Sequence, residues 1–165
     1  MRSIVLATTL TAIAALALSA SVPAFAAGSG SGGMANQQSA PADPNYASAK
    51  AMIEARNYAG ALPLLQQVVA KNPKDADAYT LMGFATRKSG DPNGSLQYYN
   101  AALGIDPKHI GAHEYVGEAY LQLDRLPEAE QHLARLDSIC VFGCAEYREL
   151  KAAVANYKAG KKPVN

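Results

Sequence analysis

Two cysteines and three histidines are the side chains in this 165-residue chain best suited to chemistry. Cys140 and Cys144 stand four apart in "SICVFGCAEY". Such a pair can work as a redox couple, hold a soft metal or close a small disulfide ring, and spacing alone leaves all three open. His109 and His113 are also four apart, which on a helix puts both imidazoles on one side. A metal there needs a third ligand, and none stands at ligand spacing, so His113 reads as a packed residue and no metal site is expected. The run from His113 to Gly117 stops short of the zinc-protease pattern H-E-x-x-H, because Gly117 occupies the place of the second histidine. There is no glycine-rich phosphate loop and no G-x-S-x-G elbow, and the carboxylates are scattered. The chain therefore reads as non-enzymatic, with no catalytic residue, no cofactor and no metal.

The elements that position these residues begin after an export signal. Residues 1–26 carry a basic start at Arg2, an apolar run from Ile4 to Leu18, and Ala24 and Ala26 at the small positions of an A-x-A cleavage site. The apolar run is shorter than the roughly 20 residues of a spanning helix. No cysteine lies near the junction, which excludes a lipid-modified terminus. Cleavage after Ala26 thus leaves no stable membrane anchor and a periplasmic or secreted product. Losing Arg2 leaves fourteen Lys and Arg against fourteen Asp and Glu. A neutral chain lacks the clustered cations that bind phosphate backbones, so nucleic acid is not an expected partner. Residues 27–41, rich in Gly, Ser and Gln, read as a flexible leader. One domain is expected over 42–160, followed by a tail at 161–165.

Within that domain the chain repeats itself at a shift of thirty-four. Pro73 matches Pro107; Ala49, Gly83 and Gly117 fall in register; so do Ala61, Ser95 and Ala129, then Leu65, Tyr99 and Leu133. Small residues at two fixed places let paired helices approach closely while larger apolar residues interlock around them. This pattern resembles the tetratricopeptide repeat family. The resemblance implies an all-α fold: a right-handed α-solenoid of three helix-turn-helix repeats, at about 42–75, 76–109 and 110–143. Tyr147, Leu150, Val154 and Tyr157 recur at helical spacing and read as a capping helix over about 144–159, with Gly160 as its stop. Seven helices are expected in all. Asn45 and His113 replace the bulky aromatic that Tyr79 supplies in the second repeat. Pro63 falls inside the second helix, which should kink or start late.

The resemblance also implies a function. In this family the first helix of each pair lines a concave groove that receives a protein or peptide segment. The corresponding positions are Tyr46, Lys50 and Ile53, then Asp77, Thr80, Phe84, Arg87 and Lys88, then Glu114, Glu118 and Leu121. The middle is basic and aromatic and the third repeat acidic, so a polarised groove is expected. Charge reversal at Arg87 and Lys88 should then weaken capture of a partner at little thermal cost. The Lys/Asn/Arg set by which some members clamp a terminal carboxylate is missing. The tail L-D-x-x-C…G-C-x-E-Y-x-x-L resembles that of small exported bacterial members. The reading is an exported interaction module, a scaffold or adaptor. An exported chain oxidises its cysteines, so Cys140 and Cys144 are expected to form a structural disulfide across the turn before the cap. A thiol redox or copper-handling role for that pair is the alternative.

Overall fold

A computed structural model describes residues 43–162. The expected signal peptide and leader, and the end of the tail, lie outside the described residues. Seven α-helices and no strand occur among the described residues: α1 Pro44–Glu54, α2 Tyr58–Lys71, α3 Ala76–Lys88, α4 Pro92–Ile105, α5 Ile110–Gln122, α6 Leu126–Ile139 and α7 Ala145–Lys158. They form a right-handed α-solenoid. α1 packs on α2, α3 on α4 and α5 on α6, and α7 lies against both helices of the last pair.

Six of the seven helices start where the sequence offers an acceptor for the free N–H groups of a first turn, α6 after Arg125 being the exception. The side chains of Asp43, Asn57, Asp75 and Asp91 accept from backbone N–H groups two or three residues on, at 2.7–3.0 Å. Pro44, Pro92 and Pro127 sit in first turns, where their missing N–H costs nothing. α7 stops before Gly160, whose φ of 79° a side chain would disfavour. Pro63 lies within α2, which begins at Tyr58 all the same, capped by Asn57. The helix does not start late: the cap fixes its first turn ahead of the proline.

The thirty-four-residue register marks the core. Ala49, Ala61, Ser95 and Ala129 are fully buried, and Gly83 and Gly117 are buried with them. The two glycines serve different seams. A Cβ at Gly83 would sit 2.5 Å from the Tyr99 ring, so α3 and its own partner α4 touch there. A Cβ at Gly117 would sit 2.5 Å from Leu150 Cδ2, so that glycine admits the cap α7 rather than α6. Leu150 and Val154 of α7 complete a cluster with Leu121, Ala129 and Leu136. The last apolar face of the solenoid is covered this way, as a terminal repeat requires.

The polar residues in the aromatic slot are hydrogen-bonded to the paired helix, and His113 is packed there as well. Asn45 Nδ2 donates to Gln67 Oε1 of α2 at 3.1 Å. His113 Nδ1 lies 2.8 Å from His132 Nδ1 of α6, and its Nε2 lies 3.1 Å from the Pro107 carbonyl oxygen. A carbonyl only accepts, so His113 carries its proton on Nε2, and His132 Nδ1–H donates to the bare His113 Nδ1. Where the second repeat interlocks a ring, the first and third tie helix to helix with hydrogen bonds.

Candidate functional site

The first helices α1, α3, α5 and α7 lie side by side, and the expected groove residues fall along that row. Tyr46 and Ile53 are half-buried against the first core cluster, and Lys50 is exposed. Desolvation pushes the Tyr46 hydroxyl up to about 12, reinforced by the charges of Asp77 and Asp75. Asp77 reaches across the turn to His109, whose Nε2 is 3.0 Å from Asp77 Oδ1. His109 also caps α5, its Nδ1 accepting from the Ala112 N–H at 3.1 Å. Both ring nitrogens of His109 are thereby committed, and so are those of His113.

The centre of the row is an aromatic and ionic cluster. The ring of Phe84 lies 6.1 Å from that of Tyr58 and 5.0 Å from that of Tyr115. The Arg87 guanidinium lies 5.6 Å from the Phe84 centroid and 6.0 Å from that of Tyr115, and Lys88 Nζ is 5.9 Å from Phe84. Such cation–π contacts strengthen as water is excluded. Arg87 Nη2 pairs with Glu118 Oε2 at 2.6 Å, joining α3 to α5.

Several of the residues expected to line a groove are buried. Arg87 is 2% exposed. The rings of Phe84 and Tyr115 and the carboxylate of Glu118 enclose it, because a guanidinium can stack and pair at once. Charge reversal there would set a buried carboxylate against Glu118, so the expectation of little thermal cost is corrected for Arg87; Lys88, its partner in that expectation, is only half-buried. Leu121 is fully buried in the cluster under α7, and the covering cap is what removes it from the groove. Thr80 is buried too, its hydroxyl donating to the Ala76 carbonyl at 2.8 Å.

Glu114 is 4% exposed. Burial raises its carboxyl to about 9, helped by a hydrogen bond with Glu149 and by the charges of Glu118, Glu149 and Glu146. At neutral pH it therefore holds its proton, and a protonated carboxyl can donate where a carboxylate could only repel. The row is less polarised than its formal charges: Arg87 pairs with Glu118, and Glu114 is neutral.

Tyr58, Tyr115, Glu146 and Glu149 join this surface without having been expected there. Counting only the first helix of each repeat hid Tyr58, on α2, and the two glutamates of the cap. A usable signal was the Glu146–Glu149 pair, three residues apart in the first turns of α7. Cys140 and Cys144 are joined as a disulfide with their Cα atoms 5.5 Å apart. Cys140 closes α6, and Cys144 opens α7 with its Sγ accepting from the Tyr147 N–H at 3.4 Å. A cleft of about 390 Å³ lies away from this row, at the α4–α5 turn and α6.

Paired helices stacked in register, a terminal cap and a row of first helices carrying rings and charges define a helical-repeat scaffold. Tetratricopeptide repeat patterns match residues 46–110 and 86–154, together most of the described chain, and the protein belongs to that family. A 77-residue stretch, 45% of this chain, is 35% identical to cellulose synthase operon protein C of Escherichia coli (strain K12) and spans 7% of that protein's length. MamA from Desulfovibrio magneticus RS-1 superposes with a TM-score of 0.55 at 27% identity, covering 58% of this chain and 54% of that one. The type III secretion chaperone SycD of Yersinia enterocolitica, solved with a peptide of the translocator YopD, superposes with a TM-score of 0.61. It is 20% identical, with 71% of this chain and 88% of that one covered, a likeness of fold alone. Among the described residues no helix is long and apolar enough to cross a membrane.

Proposed function

We propose that this protein is an exported, non-enzymatic scaffold that docks a segment of a partner protein along α1, α3, α5 and α7. The observation that carries this reading is the Phe84–Tyr115–Arg87–Glu118 cluster. It fixes rings and charges on two helices at once, so the surface is organised before a partner arrives and loses little side-chain freedom on binding. Tyr46, Lys50, Ile53 and Lys88 offer contacts on one side, and Glu146 and Glu149 on the other. The segment that suits them carries apolar side chains with acidic residues toward α1 and basic ones toward α7. That a protein of the same fold holds a peptide is consistent with this use. Export rests on residues 1–26, and Edman sequencing of the mature protein should begin at Ala27.

The test is the double variant Lys50→Glu, Lys88→Glu. Both side chains reach solvent, so the cost in stability should stay within about 0.5 kcal/mol. Recovery of the partner from envelope extract should drop, while unchanged recovery by a normally folded variant would remove the docking surface from these helices.

A further inference from the structure

The two sulfurs of the Cys140–Cys144 bond sit in unlike surroundings. Cys140 ends α6 and packs against the cluster of Leu121, Ala129, Leu136, Leu150 and Val154, where an apolar neighbourhood disfavours a thiolate. Cys144 holds the N-cap position of α7, and its Sγ accepts from the Tyr147 N–H. The earlier first helices α3 and α5 open on Asp75 and His109 at this position. A thiolate at Cys144 would stand where the Asp75 carboxylate stands, as an anion on the positive end of a helix. The Arg148 guanidinium adds to that field, with Nη1 3.9 Å from the place a Cβ on Gly143 would take. The carboxylate nearest to Cys144 in sequence, Glu146, lends its charge to holding the proton of Glu114. Negative charge on sulfur is thus favoured at Cys144 and disfavoured at Cys140.

The bond can be reached, and it can open without unfolding the cap. Val141, Phe142 and Gly143 between the cysteines are exposed, and both cysteines are half-buried, so the corner is open to solvent. The far end of α7 is tied down separately. The Tyr157 hydroxyl donates to Asp124 at 2.9 Å, Lys162 Nζ pairs with the same carboxylate at 2.7 Å, and Lys158 pairs with Glu130 of α6. Leu150 and Val154 stay in the core whether or not the sulfurs are joined. Opening the bond therefore frees the corner and the first turn of α7, and leaves the rest of that helix in place.

We propose that Cys140–Cys144 is a site of thiol–disulfide exchange with a protein dithiol, in which Cys144 is the leaving sulfur. A thiolate of the dithiol attacks Cys140 Sγ. The bond between the two cysteine sulfurs breaks, and its electron pair leaves on Cys144, which remains a thiolate at the start of α7. The second thiol of the dithiol then attacks its own partner sulfur in the mixed disulfide, and Cys140 departs. The first thiol's proton goes to solvent and the second's ends on Cys140. The dithiol is oxidised to a disulfide and the two cysteines of this chain are reduced. A sulfur whose thiolate is stabilised leaves faster, which sets the direction of attack. The exchange concerns this corner alone and stands whether or not the concave face docks a partner.

Peptide mass spectrometry of the purified protein tests the direction. The oxidised protein is treated with glutathione while iodoacetamide is present, so that a released thiolate is alkylated before the ring can close again. Glutathione should be found on Cys140 and the alkyl group on Cys144. In the protein reduced by dithiothreitol, iodoacetamide near pH 7 should modify Cys144 faster than Cys140 by about tenfold or more, and urea should erase the difference. Arg148→Ala should cut that preference severalfold with its circular dichroism unchanged, whereas Lys151→Ala, further along α7, should leave it as it was. Glutathione on Cys144, equal alkylation of the two thiols in the folded protein, or a bond that withstands millimolar dithiothreitol until urea is added would each overturn the proposal.

Discussion

His113 and Glu114 are neighbours on α5, each about 5% exposed or less, yet they face different seams and solve burial in opposite ways. His113 meets α6. Two imidazoles share one hydrogen bond there, and a carbonyl takes the remaining proton, so the seam is neutral without help from solvent. Burial lowers both histidines, His132 to about 4 with the charge of His113 adding to the effect. Glu114 meets α7, where the carboxyl pairs with Glu149 only by keeping a proton. The seam inside a repeat is complete with neutral side chains at neutral pH, whereas the seam to the cap holds only while Glu114 keeps a proton. The cap is the adjustable part of the solenoid.

The largest effect that can break this comparison is Leu150→Ala. Removing a fully buried leucine from beside Gly117 should cost about 2–5 kcal/mol, with the loss confined to α7. Hydrogen exchange should show α7 opening first and α5–α6 still protected; a uniform loss of protection would mean that the two seams are not distinct. Next comes the pair Cys140→Ser, Cys144→Ser. Opening a five-residue ring should cost about 2 kcal/mol in the chain-entropy model, again at the cap, with docking on the concave face retained. A folded double variant that loses docking would instead return the cysteines to chemistry.

A smaller effect separates the seams by sign. Glu114 has a folded pKa of about 9 against 4.5 for an ordinary glutamate. The native state therefore binds more protons between those values, and stability falls as pH rises from about 4.5 toward 9. His132, at about 4 against 6.5, does the reverse: the unfolded state binds more protons, and stability is lost as pH falls from about 6.5 toward 4. Glu114→Gln should flatten the alkaline limb and His132→Phe the acid limb, each by on the order of 1 kcal/mol or more. Denaturant titrations at a series of pH values measure both, and a variant that flattens the other limb would show the assignment reversed.

The sequence carried the repeat, the caps and the disulfide because each depends on residues at fixed local spacing. Small residues at Ala49, Gly83 and Gly117, prolines between helices and Asp or Asn before them are legible one turn at a time. The site was legible as a row of positions but not as burial. Arg87 and Leu121 sit at positions that face outward in a repeat of this kind, and what encloses them comes from elsewhere: Tyr115 and Glu118 for Arg87, the cap for Leu121. The cap also breaks the register. α3, α5 and α7 begin at residues 76, 110 and 145, so the last spacing is one longer than thirty-four. A pairing such as Glu114 with Glu149 therefore falls outside any alignment of the chain with itself. The His113–His132 bond is hidden for another reason: it joins two helices of a single repeat through residues that no other repeat shares.

The docking claim is tested most directly by placing a photo-crosslinking amino acid at Lys88 on α3 and, in a second protein, at exposed Gln97 on α4. Irradiation in intact cells followed by mass spectrometry of the adducts reads which face a partner touches. Docking along the first helices gives a discrete adduct from position 88, to one segment of one protein, and none from position 97. Adducts of equal yield from both positions, or from position 97 alone, would contradict it.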